Sequence, residues 1–157
     1  MTLMNLNTYI DTSVISALDD PRVPQFQEIS RKFGKLLGHG IDGYISQVVI
    51  AEIKAAPAHR VRQMEIWIQQ KKLVVLGDDP IITALGHAYI NEGILPQNSL
   101  ADAFHLAFAT FYEMDYLVSW NFSHLVNETR KQAFWNYNFK QALHLPKIIT
   151  PGSLTST

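Results

Sequence analysis

Asn7-Thr8-Tyr9-Ile10-Asp11-Thr12-Ser13-Val14-Ile15 is the stretch on which the reading of the whole chain turns. It opens with the β-branched and aromatic residues Thr8, Tyr9 and Ile10, the composition of a short strand. It then meets an acid, two hydroxyl residues and an apolar run, Val14-Ile15-x-Ala17-Leu18, whose spacing is helical. Asp11 therefore stands at a strand-to-helix turn, and two jobs are open to it there. It can cap the helix by accepting the free N–H groups of Thr12 to Val14. It can also handle a metal or a phosphate, because open α/β sheets place their sites just beyond the C-terminal ends of strands. Other acids returning to the same place would favour the second job.

Outward from that turn, strands and helices alternate. Pro21 suits the first turn of a helix over about 23–37, closed by Gly38-His39-Gly40. Residues 42–46 read as a second strand, and a helix from Gln47 to before Pro57 carries Glu52. A helix over about 59–70 leads to a third strand, 73–76, and a further helix runs from Pro80 to the Glu92-Gly93 stop. Residues 100–114 are rich in alanine and phenylalanine on nearly all sides, which predicts a central helix. A fourth strand at 116–119, a short helical turn at 121–125, a helix at 128–143 and a last strand at 147–150 complete the order. Such alternation predicts a single α/β domain over 1–157, a three-layer α/β/α sandwich with a central parallel sheet of four to five strands.

The 157 residues suffice for one domain with a full core, and 47% hydrophobic against 17% charged composition excludes a disordered chain. No apolar run approaches the length of a membrane span, and the N-terminus lacks the basic-plus-apolar pattern of a signal peptide. The absence of cysteine excludes disulfides, thiolate catalysis and cysteine zinc sites. These features fit a cytoplasmic protein. At a net charge of −1 no global field attracts a polyanion, so Arg60, Arg62, Lys71 and Lys72, or Arg130, Lys131 and Lys140, would have to provide a local basic patch.

In this architecture Asp11, Glu52, Asp102 and Asn121 gather at the edge formed by the strand C-termini. Each also has a structural alternative. Glu52 can face solvent, although Ile50, Ala51 and Ile53 make its surroundings apolar. Ser99-x-x-Asp102 has capping-box spacing, and Asn121 can cap the turn that follows it. His105 lies three residues from Asp102 on one helical face, either as a core histidine or as a group touching ligand or substrate. Asp115, at the start of its strand, would lie about 13 Å from that edge and reads as a turn residue.

Tyr9-Ile10-Asp11-Thr12-Ser13-Val14, Ser46-x-x-Val49-x-Ala51-Glu52-Ile53, Ala101-Asp102-Ala103-x-His105-x-Ala107-x-Ala109 and Tyr116-Leu117-Val118-Ser119-Trp120-Asn121 together resemble the PIN-domain family. The match in order and spacing covers essentially the whole chain, and within the family it looks most like the single-domain, VapC-type toxins. The resemblance implies a magnesium- or manganese-dependent endoribonuclease with Asp11, Glu52 and Asp102 as the carboxylate cluster. Asn121 stands where many members carry a fourth acid. Thr12, Ser13, His105 and Ser119 would support the ligands or meet substrate. The resemblance also implies an RNA substrate, a small antitoxin protein as partner, and a homodimer.

Three converging carboxylates repel one another and make poor sense without a cation. Magnesium takes oxygen ligands and keeps several waters, so Asp11 and Asp102 would bind it directly and Glu52 directly or through water. Two other enzyme readings fit less well. A haloacid-dehalogenase-like phosphatase wants a second aspartate where Ser13 stands, and a receiver domain wants an acidic pair about the first strand. The non-enzyme alternative is a catalytically inactive PIN-like binding module, with Asn121 as the lesion.

Overall fold

In the computed structural model, which describes residues 5–155, the sheet is assembled on strand β1 (Leu6–Ile10). Tyr9 and Ile10 have no exposed surface, as expected for the middle of a parallel sheet covered on both faces. β2 (Ile41–Ser46) pairs with one side of β1 and β4 (Tyr116–Val118) with the other. β3 (Val74–Leu76) adds beyond β2, and β5 (Lys147–Ile149) beyond β4. All pairings are parallel, in the order β3-β2-β1-β4-β5. Residues 1–4 and 156–157 of the expected 1–157 domain lie outside the described residues.

Helices α1 (Thr12–Ala17) and α2 (Pro24–Leu36) connect β1 to β2, and α3 (Gln47–Ile53) and α4 (Ala58–Gln70) connect β2 to β3. Both steps move the same way across the sheet, so right-handed crossovers set these helices on one face. α5 (Pro80–Asn91) and α6 (Leu100–Phe111) lead back to β4, and α7 (Glu128–Lys140) leads on to β5. These steps move the opposite way and cover the other face, which gives the three-layer α/β/α arrangement. A terminal helix, α8 (Gly152–Thr155), packs on α2. The winding reverses between β1 and β4, and the crevice beyond those two strand ends is where such sheets bind ligands. No helix of the described residues is long and apolar enough to cross a membrane.

Several element ends differ from the sequence reading. The second helix starts at Pro24, next to the expected Val23, but the first-turn proline is Pro24 and not Pro21, since its missing N–H costs nothing there. Residues 121–125 form a turn and not a helix. α6 stops at Phe111 and α7 at Lys140, each short of the expected end. Both close with a left-handed residue, Glu113 (φ 54°) and Ala142 (φ 55°), and the N–H groups of Met114 and Leu143 reach back to the carbonyls of Ala109 and Asn138. Beyond the last expected strand the chain forms one more short helix, α8.

α6 brings Asp102 and His105 to the crevice, and its other side is fixed from the outer layer. Gly86 lets α5 approach it closely, since a β-carbon there would fall 2.4 Å from the Phe104 ring. At its far end, Tyr89 O–H donates to Asn138 Oδ1 (2.7 Å), and Asn138 Nδ2–H donates to Thr110 Oγ1 (3.1 Å) and to the His144 carbonyl (2.9 Å). Tyr89 and Asn138 have no exposed surface, so this small network joins α5, α6 and α7 without help from bulk water. Removing its key donor leaves a buried carbonyl oxygen unpaired. We expect Tyr89→Phe to lower stability by about 1–3 kcal/mol in denaturant unfolding, well above the effect of losing one exposed hydroxyl. A loss below about 0.5 kcal/mol would show that the network does not hold α6 in place.

Candidate metal centre

Asp11 ends β1 and begins α1. Its N–H continues the ladder to the Val118 carbonyl (3.0 Å), and its extended backbone (φ −68°, ψ 150°) turns the side chain onto the helix start. The carboxylate is buried, with 5% of the side chain exposed. Oδ2 accepts the hydroxyls of Ser13 (2.6 Å) and Ser119 (2.8 Å), and the Ser13 N–H at 3.4 Å. Ser13 Oγ in turn accepts the Trp120 N–H, and Ser119 Oγ the Asn121 N–H, both at 2.9 Å. Each hydroxyl thus has an acceptor role filled by backbone and a proton left for the aspartate. The cap is narrower than expected, because only the Ser13 N–H meets the carboxylate. Oδ2 does this capping, while Oδ1 faces His105 Nε2 at 3.3 Å.

Glu52 reaches the same place from α3. Its Oε1 accepts the Thr12 hydroxyl (2.8 Å) and lies 2.6 Å from His105 Nε2. Burial works against its charge, but the hydrogen bonds from His105 and Thr12 and the neighbouring imidazole hold the carboxyl below its ordinary range. His105 is fully buried, and its Nδ1 lies 2.6 Å from the Tyr9 hydroxyl, which lies 2.7 Å from Ser46 Oγ. Burial disfavours the imidazolium, yet the Glu52 hydrogen bond and the charges of Asp11, Glu52 and Asp102 raise the affinity of the ring for its proton above the usual value. One ligand atom each from Asp11, Glu52 and His105 lies within 4.8 Å of the others, so this group could hold a metal ion.

Asp102 stands outside that trio and has its own partners. Its Oδ2 lies 3.0 Å from His124 Nδ1 and accepts the Asn121 amide N–H at 3.3 Å. Burial pushes its carboxyl up, the His124 hydrogen bond pulls it down, and the Asp11 charge pushes it up again, with a net rise. The Ser99-x-x-Asp102 capping box does not form: Ser99 makes no side-chain cap, and its hydroxyl pairs with His124 Nδ1 (3.1 Å). Asn121 does cap its turn, through Oδ1 accepting the His124 N–H at 3.1 Å, while its amide faces Asp102.

The residues expected at this edge form two hydrogen-bonded groups, Asp11, Ser13, Ser119, Asn121 and Asp102 in one and Thr12, Glu52 and His105 in the other, and the two meet where His105 Nε2 faces Asp11 Oδ1 at 3.3 Å. Tyr9, Ser46 and His124 belong to these groups and were not singled out from sequence. His124 had a usable signal, since it follows Asn121 at the three-residue spacing of an Asn-capped turn. Trp120 steadies the turn by stacking on Phe26 of α2 (4.0 Å, 9°) and donating its indole N–H to Ser30. Asp115 sits at the opposite end of its strand and accepts the Asn7 N–H, the turn role expected of it. Of the basic groups, Arg60 donates to the Ser16 carbonyl and Arg130 to the Ile94 carbonyl, whereas Arg62 and Lys72 are exposed.

No family model matches this chain, and no curated protein does. Among solved structures, the chain is similar to one chain in the crystal structure of VapBC2 from Rickettsia felis bound to a DNA fragment from their promoter. The TM-score is 0.55 at 15% sequence identity, over 92% of this chain and 97% of that one. The likeness shows a shared α/β fold with a central parallel sheet, as PIN-like domains have.

Proposed function

We propose that this chain is a metal-dependent endoribonuclease of the VapC type, the toxin of a type II toxin–antitoxin pair, hydrolysing RNA phosphodiester bonds at the carboxylate cluster. The observation that carries the reading is the meeting of Asp11, Glu52 and His105 within 4.8 Å at the point where the sheet winding reverses. The fold shared with a VapBC2 chain supports it. A small antitoxin, a homodimer and a cytoplasmic location follow from the same reading.

The donor set fits a divalent cation. Two carboxylates face one another across a histidine, a third lies beside them, and burial, with a smaller push from the Asp11 charge, makes Asp102 hold its proton more readily. Asp11 and Glu52 would hold a magnesium or manganese ion, with Asp102 completing the acidic set. Such an ion supplies an activated water and offsets charge on the phosphate being cleaved. The chain's own groups do the rest. Ser13 and Ser119 fix the orientation of Asp11, Thr12 and His105 fix Glu52, and the Asn121 amide steadies Asp102. Asn121 in place of a fourth acid is the one feature that favours an inactive binding module, and RNA incubated with and without divalent metal separates the two.

Asp102 offers the sharper test of the cluster. Its raised carboxyl means that ionising it costs folding stability as pH rises through the carboxylate range, since the folded state then binds more protons than the unfolded. In chelator at neutral pH, Asp102→Asn is expected to melt at or above the wild type. Manganese at about 100 times its Kd should stabilise the wild type by about 2.7 kcal/mol, and the variant by far less. RNA cleavage should be lost with it. Normal cleavage by this variant would remove Asp102 from the reacting set.

Asn121→Asp tests the missing acid. The new carboxylate can still accept the His124 N–H, so the turn should form, but it replaces a donor to Asp102 with a like charge. We expect its melting point in chelator to fall by about 2–4 °C, roughly 1 kcal/mol for a domain of this size, and the rise on adding manganese to exceed that of the wild type. An unchanged metal response would make Asn121 a turn cap only.

A further inference from the structure

His105 has the geometry of a ligand, not only of a prop for the carboxylates. Its Nε2 is 2.6 Å from Glu52 Oε1 and 3.3 Å from Asp11 Oδ1. Ligands about 2.1 Å from an ion on adjacent corners of an octahedron are about 3.0 Å apart, and the two distances from Nε2 to the carboxylate oxygens, 2.6 and 3.3 Å, lie on either side of that spacing. The far side of the ring is equally prepared. Tyr9, Ser46 and His105 are all fully buried, and the run from Nδ1 to the Tyr9 oxygen (2.6 Å) to Ser46 Oγ (2.7 Å) can be polarised in either direction. With Nδ1–H donating to Tyr9 and Tyr9 donating to Ser46, which also accepts the Val48 N–H at 3.3 Å, the Nε2 lone pair faces Asp11 and Glu52. A metal-bound histidine needs such an anchored second nitrogen to fix its tautomer.

We propose that His105 binds the divalent ion directly through Nε2, beside Asp11 and Glu52, and that this nitrogen donor makes the centre select first-row transition ions over magnesium. Magnesium demands hard oxygen ligands, whereas imidazole adds affinity for cobalt and zinc, with manganese the weakest of the series. The inference rests on reading the cluster as a cation site, and not on RNA being the substrate. Tyr9 and Ser46 become positioning residues, acting through the histidine.

The test is metal binding by the full chain, followed by calorimetry and by nitrogen NMR of the histidine rings. Wild-type affinity should rise from magnesium through manganese and cobalt to zinc. His105→Asn should lower zinc and cobalt affinity at least about 10-fold while moving magnesium by less than about 3-fold, and Tyr9→Phe should lower zinc affinity by about 10-fold. Equal losses for magnesium and zinc in His105→Asn would overturn the proposal. Because His105 is buried, the wild type supplies an answer that needs no variant. With zinc bound, Nε2 should lose its proton and shift into the metal-bound range while Nδ1 keeps its own. Nε2–H persisting with zinc in place would overturn nitrogen ligation. Zinc bound through His105 with no RNA cleaved under any metal would sink the nuclease reading and leave this centre standing. RNA cleaved with magnesium while Nε2 stays protonated under zinc would do the reverse.

Discussion

The structure depends on keeping one carboxylate charged where water hardly reaches. Asp11 closes the central strand, begins the first helix and lies at the crevice between β1 and β4. A buried carboxylate is stable only if its oxygens are matched by donors. Oδ2 is matched by two serine hydroxyls, one from α1 and one from the end of β4. Those hydroxyls are themselves tied to the backbone of Trp120 and Asn121, so the turn after β4 is folded around Asp11. Phe26 and Ser30 then hold Trp120 from α2. The acid thus organises its surroundings as far as the outer helix layer.

The polar groups of the crevice fall into two pairs, Asp11 with Glu52 and Asp102 with Asn121, each with its own imidazole. Glu52 shares His105 with Asp11, and Asp102 shares His124 with Asn121. The division explains why neighbouring carboxyls move in opposite directions. Glu52 receives hydrogen bonds from Thr12 and His105 and is held low, whereas Asp102 is pushed up by burial and by the charge of Asp11. His105 has no exposed side-chain surface and His124 has 31%, so the first imidazole is enclosed with the acids and the second stands at the mouth.

Much of this arrangement was legible in the sequence because strand-end position converts into spatial position. In a parallel sheet every residue just past a strand end shares one edge, so Asp11 and Asn121 were brought together by topology alone. Glu52 and Asp102 needed only the helical repeat added to that rule. Helix ends were less legible. Gly93 closes α5 as a glycine signal should, but Lys72, Glu113 and Ala142 take the same left-handed conformation without being glycine. Their positions are set by tertiary packing at Leu73 and Met114, which are buried just beyond α4 and α6, and composition carries no trace of that. The Ser99-x-x-Asp102 capping box failed to form for a related reason. Ser99 had a choice between capping its helix and pairing with His124, and only the folded turn at 121–126 supplies His124.

The two carboxylates of the trio differ in how firmly they are held. Asp11 is 5% exposed and fixed by groups from three segments of chain. Glu52 is 37% exposed, and its recorded partners are Thr12 and His105. It stands on α3, a helix of seven residues between Ser46 and Lys54. α3 also lines, through Gln47, Val48 and Ala51, an open pocket of about 770 Å³ shared with Ile82, Thr83, Phe104 and Phe108. Val49 and Ile53 anchor α3 to the core, and Val48 and Ile50 pack partly against it. Asp11 is therefore the enclosed carboxylate, fixed by the strand end, and Glu52 is the one that carries the centre's charge out to solvent at the mouth of the crevice.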